Sequence, residues 1–261
     1  MSRKRERFER SDVPRDNPYR NLIGLVVLLV IGAVGYFAFK FLWGRVQVES
    51  RMGDAALSEA LDEQDGPTAL DGNFEYIDNP IEKILFLQVD DPDAERPRLI
   101  SAQLLLMDPL GETAHLFDVP TNTLVIGEDS SYAFDEYFNS FGPEAAIPLI
   151  TTSYNIYGNH VIMGTTNPWE SIEALDGENP LNLVGVARPF IESMRTDLDA
   201  GELVEHAALF KSLGVTSLDV EETPVLSSGS DEGEEGADQS PTVSVDLVPF
   251  GIQGGILIPY E

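Results

Sequence analysis

Residues 83–109 read KILFLQVDDPDAERPRLISAQLLLMDP, two apolar runs separated by an acidic, proline-containing stretch. Ile84–Val89 (ILFLQV) and Leu99–Met107 (LISAQLLLM) have the length and bounding turn residues of strands. The second run stops at Asp108-Pro109-Leu110-Gly111, a turn signal, and Thr113–Val119 (TAHLFDV) continues beyond it. This pattern predicts a hairpin in a mixed sheet.

Further along, Gly142-Pro143-Glu144 opens a segment, AAIPLITTSY, with helical apolar spacing, in which Pro148 is expected to kink or delay the helix. His160–Met163 reads as a short buried strand. Asn167-Pro168 then supplies a cap and an N-terminal proline for a helix through WESIEAL, stopped by Gly177. Asp199 begins a last helix with Leu203, Ala207, Phe210 and Leu213 along one face and Gly214 at its end. Strands alternating with helices predict one layered α/β (α+β) domain over residues 74–220, a mixed sheet flanked by helices.

Residues 44–73 are polar, acidic and rich in small residues, and are expected to form a stalk or linker, part of it a short helix. Before them, Leu22 to Phe39 (LIGLVVLLVIGAVGYFAF) carries no charge, and Lys40, Tyr36, Phe37 and Trp43 suit a membrane interface. A transmembrane helix is expected over residues 21–43. Residues 1–20 hold seven Arg or Lys against four acids. This basic tail places the N-terminus in the cytoplasm and the domain outside the cell membrane, in a single-pass topology. The apolar stretch exceeds the usual core of a cleaved signal peptide, and no Ala-x-Ala-like site follows it closely.

With Lys40 and Arg45 also set aside, seven basic residues face 41 acids in residues 46–261, a net charge of −34. A nucleic-acid partner is disfavoured. There is no cysteine, so disulfides, thiolate metal sites and cysteine nucleophiles are excluded. Glu221–Ser240 (EETPVLSSGSDEGEEGADQS) is expected to be disordered, and a place for a protein partner to bind. The apolar residues 241–261 either return to the domain as a strand or form an attached interaction segment.

Among candidate sites, Asp71-x-Asn73-x-Glu75 with Glu82 at the twelfth position mimics a calcium loop, but Tyr76 stands where such a loop requires glycine. Asp90-Asp91-Pro92-Asp93 concentrates carboxylates at a strand end; an acidic turn is the plainer reading. His115, His160 and His206 lie on unlike elements without helical or cysteine partners, so each is read as structural and no metal set is assigned. P-loop, dinucleotide-binding and nucleophile-elbow patterns are absent.

The order of these pieces resembles the LytR-CpsA-Psr family, membrane-anchored proteins that transfer undecaprenyl-phosphate-linked glycopolymers to peptidoglycan. KILFLQVD (83–90), RLISAQLLLMDP (98–109), HLFDVPTNTLV (115–125) and NHVIMGTTNPWESIEALDG (159–177) are similar to the family's successive strands and helix, and Asp197–Leu213 to its late helix. The departures fall on the chemistry. Thr121-Asn122 follows Pro120 where the family has Arg-Asp; Ile100 aligns with an expected Mg²⁺-holding Asp; Asp199, Glu202 and Glu205 occupy a helix that the family fills with Arg.

The resemblance, with these departures, therefore implies a membrane-anchored, non-catalytic protein that binds or assists in envelope glycopolymer assembly, and no cofactor is assigned. Leu104, Leu106, Ile147, Ile150, Ile162 and Ile172 are the residues that would line a slot for a polyprenyl lipid; core is the plainer reading of them. The alternatives are an active phosphotransferase using Asp90, Asp91 and Arg98 around Mg²⁺, and an unrelated acidic adaptor.

Overall fold

The continuous apolar character of the two central runs, rather than strict alternation, is what a strand covered on both faces requires. A computed structural model describes residues 51–70, 74–166, 193–213, 218–227 and 242–259, all within the compact unit Val48–Glu261. Among these residues the elements are α1 (Ala55–Asp62), β1 (Phe74–Tyr76), β2 (Glu82–Val89), β3 (Leu99–Asp108), β4 (Thr113–Val119), β5 (Leu124–Ile126), β6 (Ser131–Ala133), α2 (Phe134–Phe141) and α3 (Pro143–Ser153). They continue with β7 (His160–Gly164), β8 (Met194–Thr196), α4 (Ala200–Ser212), β9 (Val220–Glu222), β10 (Val225–Ser227), β11 (Val243–Val245), α5 (Leu247–Gln253) and β12 (Leu257–Pro259).

The main sheet has six strands in the order β8-β7-β2-β3-β4-β9. β2, β3 and β4 are antiparallel neighbours, whereas β7 pairs parallel with β2 and β9 parallel with β4. This is the mixed sheet the sequence predicts, with its hairpin turn at Asp108–Glu112. Successive side chains enter two separate cores. Leu85, Leu87, Leu104, Leu106 and Phe117 join one with residues of α1, α2, α3 and α5. Ile84, Phe86, Leu105, Met107 and Leu116 join the other with Met52 and Leu198, against which Leu203, Leu209 and Phe210 of α4 pack. Burying one such side chain contributes about 1.5–3 kcal/mol, so coverage of both faces is what holds the sheet.

Several sequence expectations change. α1 falls in the expected linker, yet Leu57, Ala60 and Leu61 are buried in the same core as the sheet. α3 runs through Pro148 rather than being delayed by it. The proline forfeits one N–H bond, while Thr151 and Thr152 hydroxyls donate to its carbonyl. Gly142 lets α2 end and α3 begin at one residue, because its φ of 90° suits only glycine.

Residues 220–227, at the start of the stretch expected to be disordered, supply β9 and β10. β10 pairs with β11, Ser227 opposite Val243. The final apolar segment does return: β12 pairs with β1, and Phe250 of α5 is fully buried. Among the described residues no helix is long and apolar enough to cross a membrane. The expected basic tail (1–20), the expected span (21–43), the helix predicted after Asn167 and residues 228–241 lie outside them.

Candidate functional site

At the end of β2 the chain turns outward at Asp90. Its Oδ1 accepts the backbone N–H of Arg98 at 2.7 Å and that of Asp91 at 2.8 Å, and its own N–H donates to the Arg98 carbonyl. These bonds close the neck of the 90–98 loop. The Arg98 N–H bond leads in holding the Asp90 carboxyl below its usual range. Asp91 caps the same loop, accepting the Asp93 N–H at 3.0 Å, and the Arg98 side chain is exposed. Asp90, Asp91 and Asp93 do not converge on one point among the described residues; the carboxylates shape a turn.

Two other arginines approach this end of the sheet. Arg51 pairs with Asp93. Arg195 on β8 donates to Asp54 at 2.9 Å and to Glu144 at 3.3 Å. Its guanidinium thereby links the N-cap of α1 to the first turn of α3, and its charge is already answered by two carboxylates.

The turn after Pro120 is tied by its backbone. The Thr123 N–H and hydroxyl both donate to the Pro120 carbonyl, Asp135 N–H to Thr121, and Val243 N–H to Asn122. Ile100, where the resemblance expects an Asp, is 53% exposed. On α4, Asp199 accepts the Gly201 and Glu202 N–H groups while Glu202 accepts the Asp199 N–H, a reciprocal capping box. Glu205 is exposed.

Of the residues expected to line an apolar slot, Leu104, Leu106, Ile147 and Ile150 share one core and are all but fully buried. Ile162 lies in the core on the opposite face, and Ile172 lies outside the described residues. The four belong to the same core as Phe134, Phe138 and Phe250. A pocket of about 150 Å³ opens elsewhere, between Tyr76, Asn79, Ile81, Lys83, Tyr157 and Ile256.

The three histidines fall into two environments. His115 is structural: its Nδ1 meets Glu221 Oε1 at 2.9 Å, joining β4 to β9. His160 and His206, however, meet with ring centroids 4.7 Å apart. His160 Nδ1 lies 2.6 Å from Asp197 Oδ2. Burial alone would lower the His160 imidazole, but the Asp197 hydrogen bond and charge outweigh it and raise it. Burial, together with His160, lowers His206. Nothing in the local sequence signals this meeting, because it is made by a parallel strand pair and a helix far along the chain. Of the calcium-loop mimic, Glu75 lies in β1 and Glu82 opens β2, while Asp71 and Asn73 lie outside the described residues.

The sequence matches no protein-family model and no curated protein. The structure does have counterparts. It superimposes on Bacillus subtilis TagV with a TM-score of 0.50 at 12% identity, covering 69% of this chain and 96% of that one. It also aligns with the LytR-CPS2A-psr family protein YwtF (TagT) with bound octaprenyl pyrophosphate lipid, at a TM-score of 0.44 and 10% identity over 73% and 93% of the two chains. The fold is LytR-CpsA-Psr-like. A third LytR-CpsA-Psr-like neighbour, described as the transcriptional regulator yvhJ from Bacillus subtilis, has a TM-score of 0.47 at 12% identity and covers 69% and 96%.

Proposed function

We propose that this chain is a membrane-anchored LytR-CpsA-Psr-like protein that binds a polyprenyl-linked or wall glycopolymer during envelope assembly without transferring it. Residues 21–43 would anchor it, with the N-terminus in the cytoplasm and the domain outside. The turn after Pro120 carries the reading. A transferase must neutralise charge developing on a pyrophosphate, and Thr121-Asn122 offers neither the cation nor the carboxylate that the family resemblance implies there. The surrounding charge points the same way: Arg51 and Arg195 are paired with carboxylates, and residues 46–261 carry a net −34, which opposes an anionic substrate.

Complementation of a deletion strain tests this. Asp90→Asn removes the charge while keeping an acceptor oxygen for the loop, so it separates metal-assisted chemistry from loop structure. Wild type and Asp90→Asn should both restore the envelope polymer. Restoration by wild type alone would instead favour a phosphotransferase built around Asp90, Asp91, Arg98 and Mg²⁺. Lipid co-purification with the full chain, with and without Mg²⁺, gives the biochemical counterpart: Mg²⁺-independent retention of polyprenyl phosphate or pyrophosphate is expected.

A further inference from the structure

We propose that Glu82, His160 and His206 bind a divalent transition-metal ion of the zinc class and so pin α4 to the sheet. The backbone brings them together. β2 and β7 run parallel with Ile84 opposite His160, so Glu82 and His160, near the starts of their strands, emerge at the same end of the sheet. Both belong to the side-chain set of Ile84, Phe86 and Ile162, the face covered by α4. His206 descends from that helix in line with Leu203 and Phe210, at the three- and four-residue spacing of one helical face.

Each residue offers one ligand atom, and the three atoms lie within 4.8 Å of one another. Zinc bonds of about 2.0–2.1 Å set tetrahedral ligands roughly 3.3 Å apart, a closure that half-buried side chains reach by small rotations. The site also has outer support. The Asp197 carboxylate can only accept, so Nδ1 of His160 carries the hydrogen, leaving Nε2 for a metal. Asp197 is itself fixed: its side chain is 7% exposed and its Oδ1 accepts the Val161 N–H at 2.7 Å. A carboxylate behind a ligating imidazole orients the ring and raises its basicity.

Two imidazoles with one carboxylate select zinc-like ions over Mg²⁺ or Ca²⁺, which prefer all-oxygen sites. Three protein ligands leave a fourth position for water. The site is separate from the turn at Asp90: β2 spans Glu82–Val89, which at ~3.3 Å per residue puts the two roughly 25 Å apart. The inference does not depend on the proposed envelope role.

The test is titration of the metal-free full chain with Co²⁺ and Zn²⁺ in excess Mg²⁺ and Ca²⁺, with variants whose unliganded circular dichroism matches wild type. Wild type should bind one equivalent, give the visible bands of low-coordinate Co²⁺, and gain thermal stability from Zn²⁺. Glu82→Gln and His206→Gln should lose all three responses, and Asp197→Asn should weaken binding by about 10–100-fold. His206 is half-buried on a helix, so His206→Gln decides the matter if another variant fails to fold. Absence of saturable binding in wild type, or binding by His206→Gln with wild-type affinity and spectrum, would overturn the proposal in favour of adventitious attachment to the acidic surface.

Discussion

Asn155 and Thr68, far apart in sequence, exchange hydrogen bonds on both sides of one side-chain amide: Oδ1 accepts the Thr68 N–H at 2.8 Å, and Nδ2 donates to the Thr68 carbonyl at 2.8 Å. Nδ2 also donates to the Tyr76 hydroxyl. Asn155 has φ of 51°, a conformation that asparagine tolerates better than most residues. Asn155→Ala strands buried polar groups and strains the backbone at once. It should lower unfolding free energy by about 2–4 kcal/mol, read from urea denaturation; a loss under half a kcal/mol would contradict the role.

The same contact tethers residues 51–70 to the domain, beside the Gln64 side chain, which bonds both the N–H and the carbonyl of Gly158. A fragment beginning at residue 74 therefore lacks part of the core, Leu57, Ala60 and Leu61 included. It should unfold without a cooperative transition and bind a hydrophobic dye, whereas a fragment beginning at residue 51 should melt sharply. Calorimetry of the two distinguishes a structural segment from a passive stalk.

Asp108 governs an acid limb of stability. Burial alone would raise its carboxyl, but hydrogen bonds from the Gly111 N–H, the Asn79 side chain and the Leu110 N–H outweigh it and hold it below the usual range. The folded state thus binds this proton less readily than the unfolded chain does. The stabilisation is present above the unfolded pKa of about 4 and fades as pH falls through the folded value. Asp108→Asn should show a shallower loss of thermal midpoint below about pH 4 than wild type; identical slopes would remove Asp108 as the cause.

That carboxylate also explains Gly111. A Cβ there would stand 2.6 Å from Asp108 Oδ2, closer than the hairpin turn can absorb without moving the hydrogen-bonded group. Gly111→Ala should cost about 1–3 kcal/mol, and the double variant with Asp108→Ala should recover part of it. Additive losses in that cycle would disprove the clash.

What the sequence made legible follows from what is local. The runs at Ile84–Val89, Leu99–Met107 and Thr113–Val119 announced the antiparallel core of the sheet, since their apolar length and the Asp-Pro-Leu-Gly turn lie within one short stretch. A short helix was expected in the linker, but its docking was not: Leu57, Ala60 and Leu61 are buried in a segment whose neighbours are acidic and small, and their partners lie far along the chain. β9 and β10 were masked by flanking Glu and Ser, and their pairing with β4 and β11 is long-range. That Ile100 and Thr121-Asn122 carry no charge could be read directly. The meeting of His160 with His206 could not: strand order and helix docking create it, and neither has a sequence period.

Because Ser227 faces Val243 across β10 and β11, the chain leaves this edge and re-enters it at one spot. Each twofold change in the number of residues between Ser227 and Val243 alters the closure entropy by only about 0.6 kcal/mol. This edge is thus a natural port: a peptide epitope or a whole reporter domain spliced between Ser227 and Val243 would ride on the molecule without rewiring it, and evolution could vary the acidic content there independently of the fold.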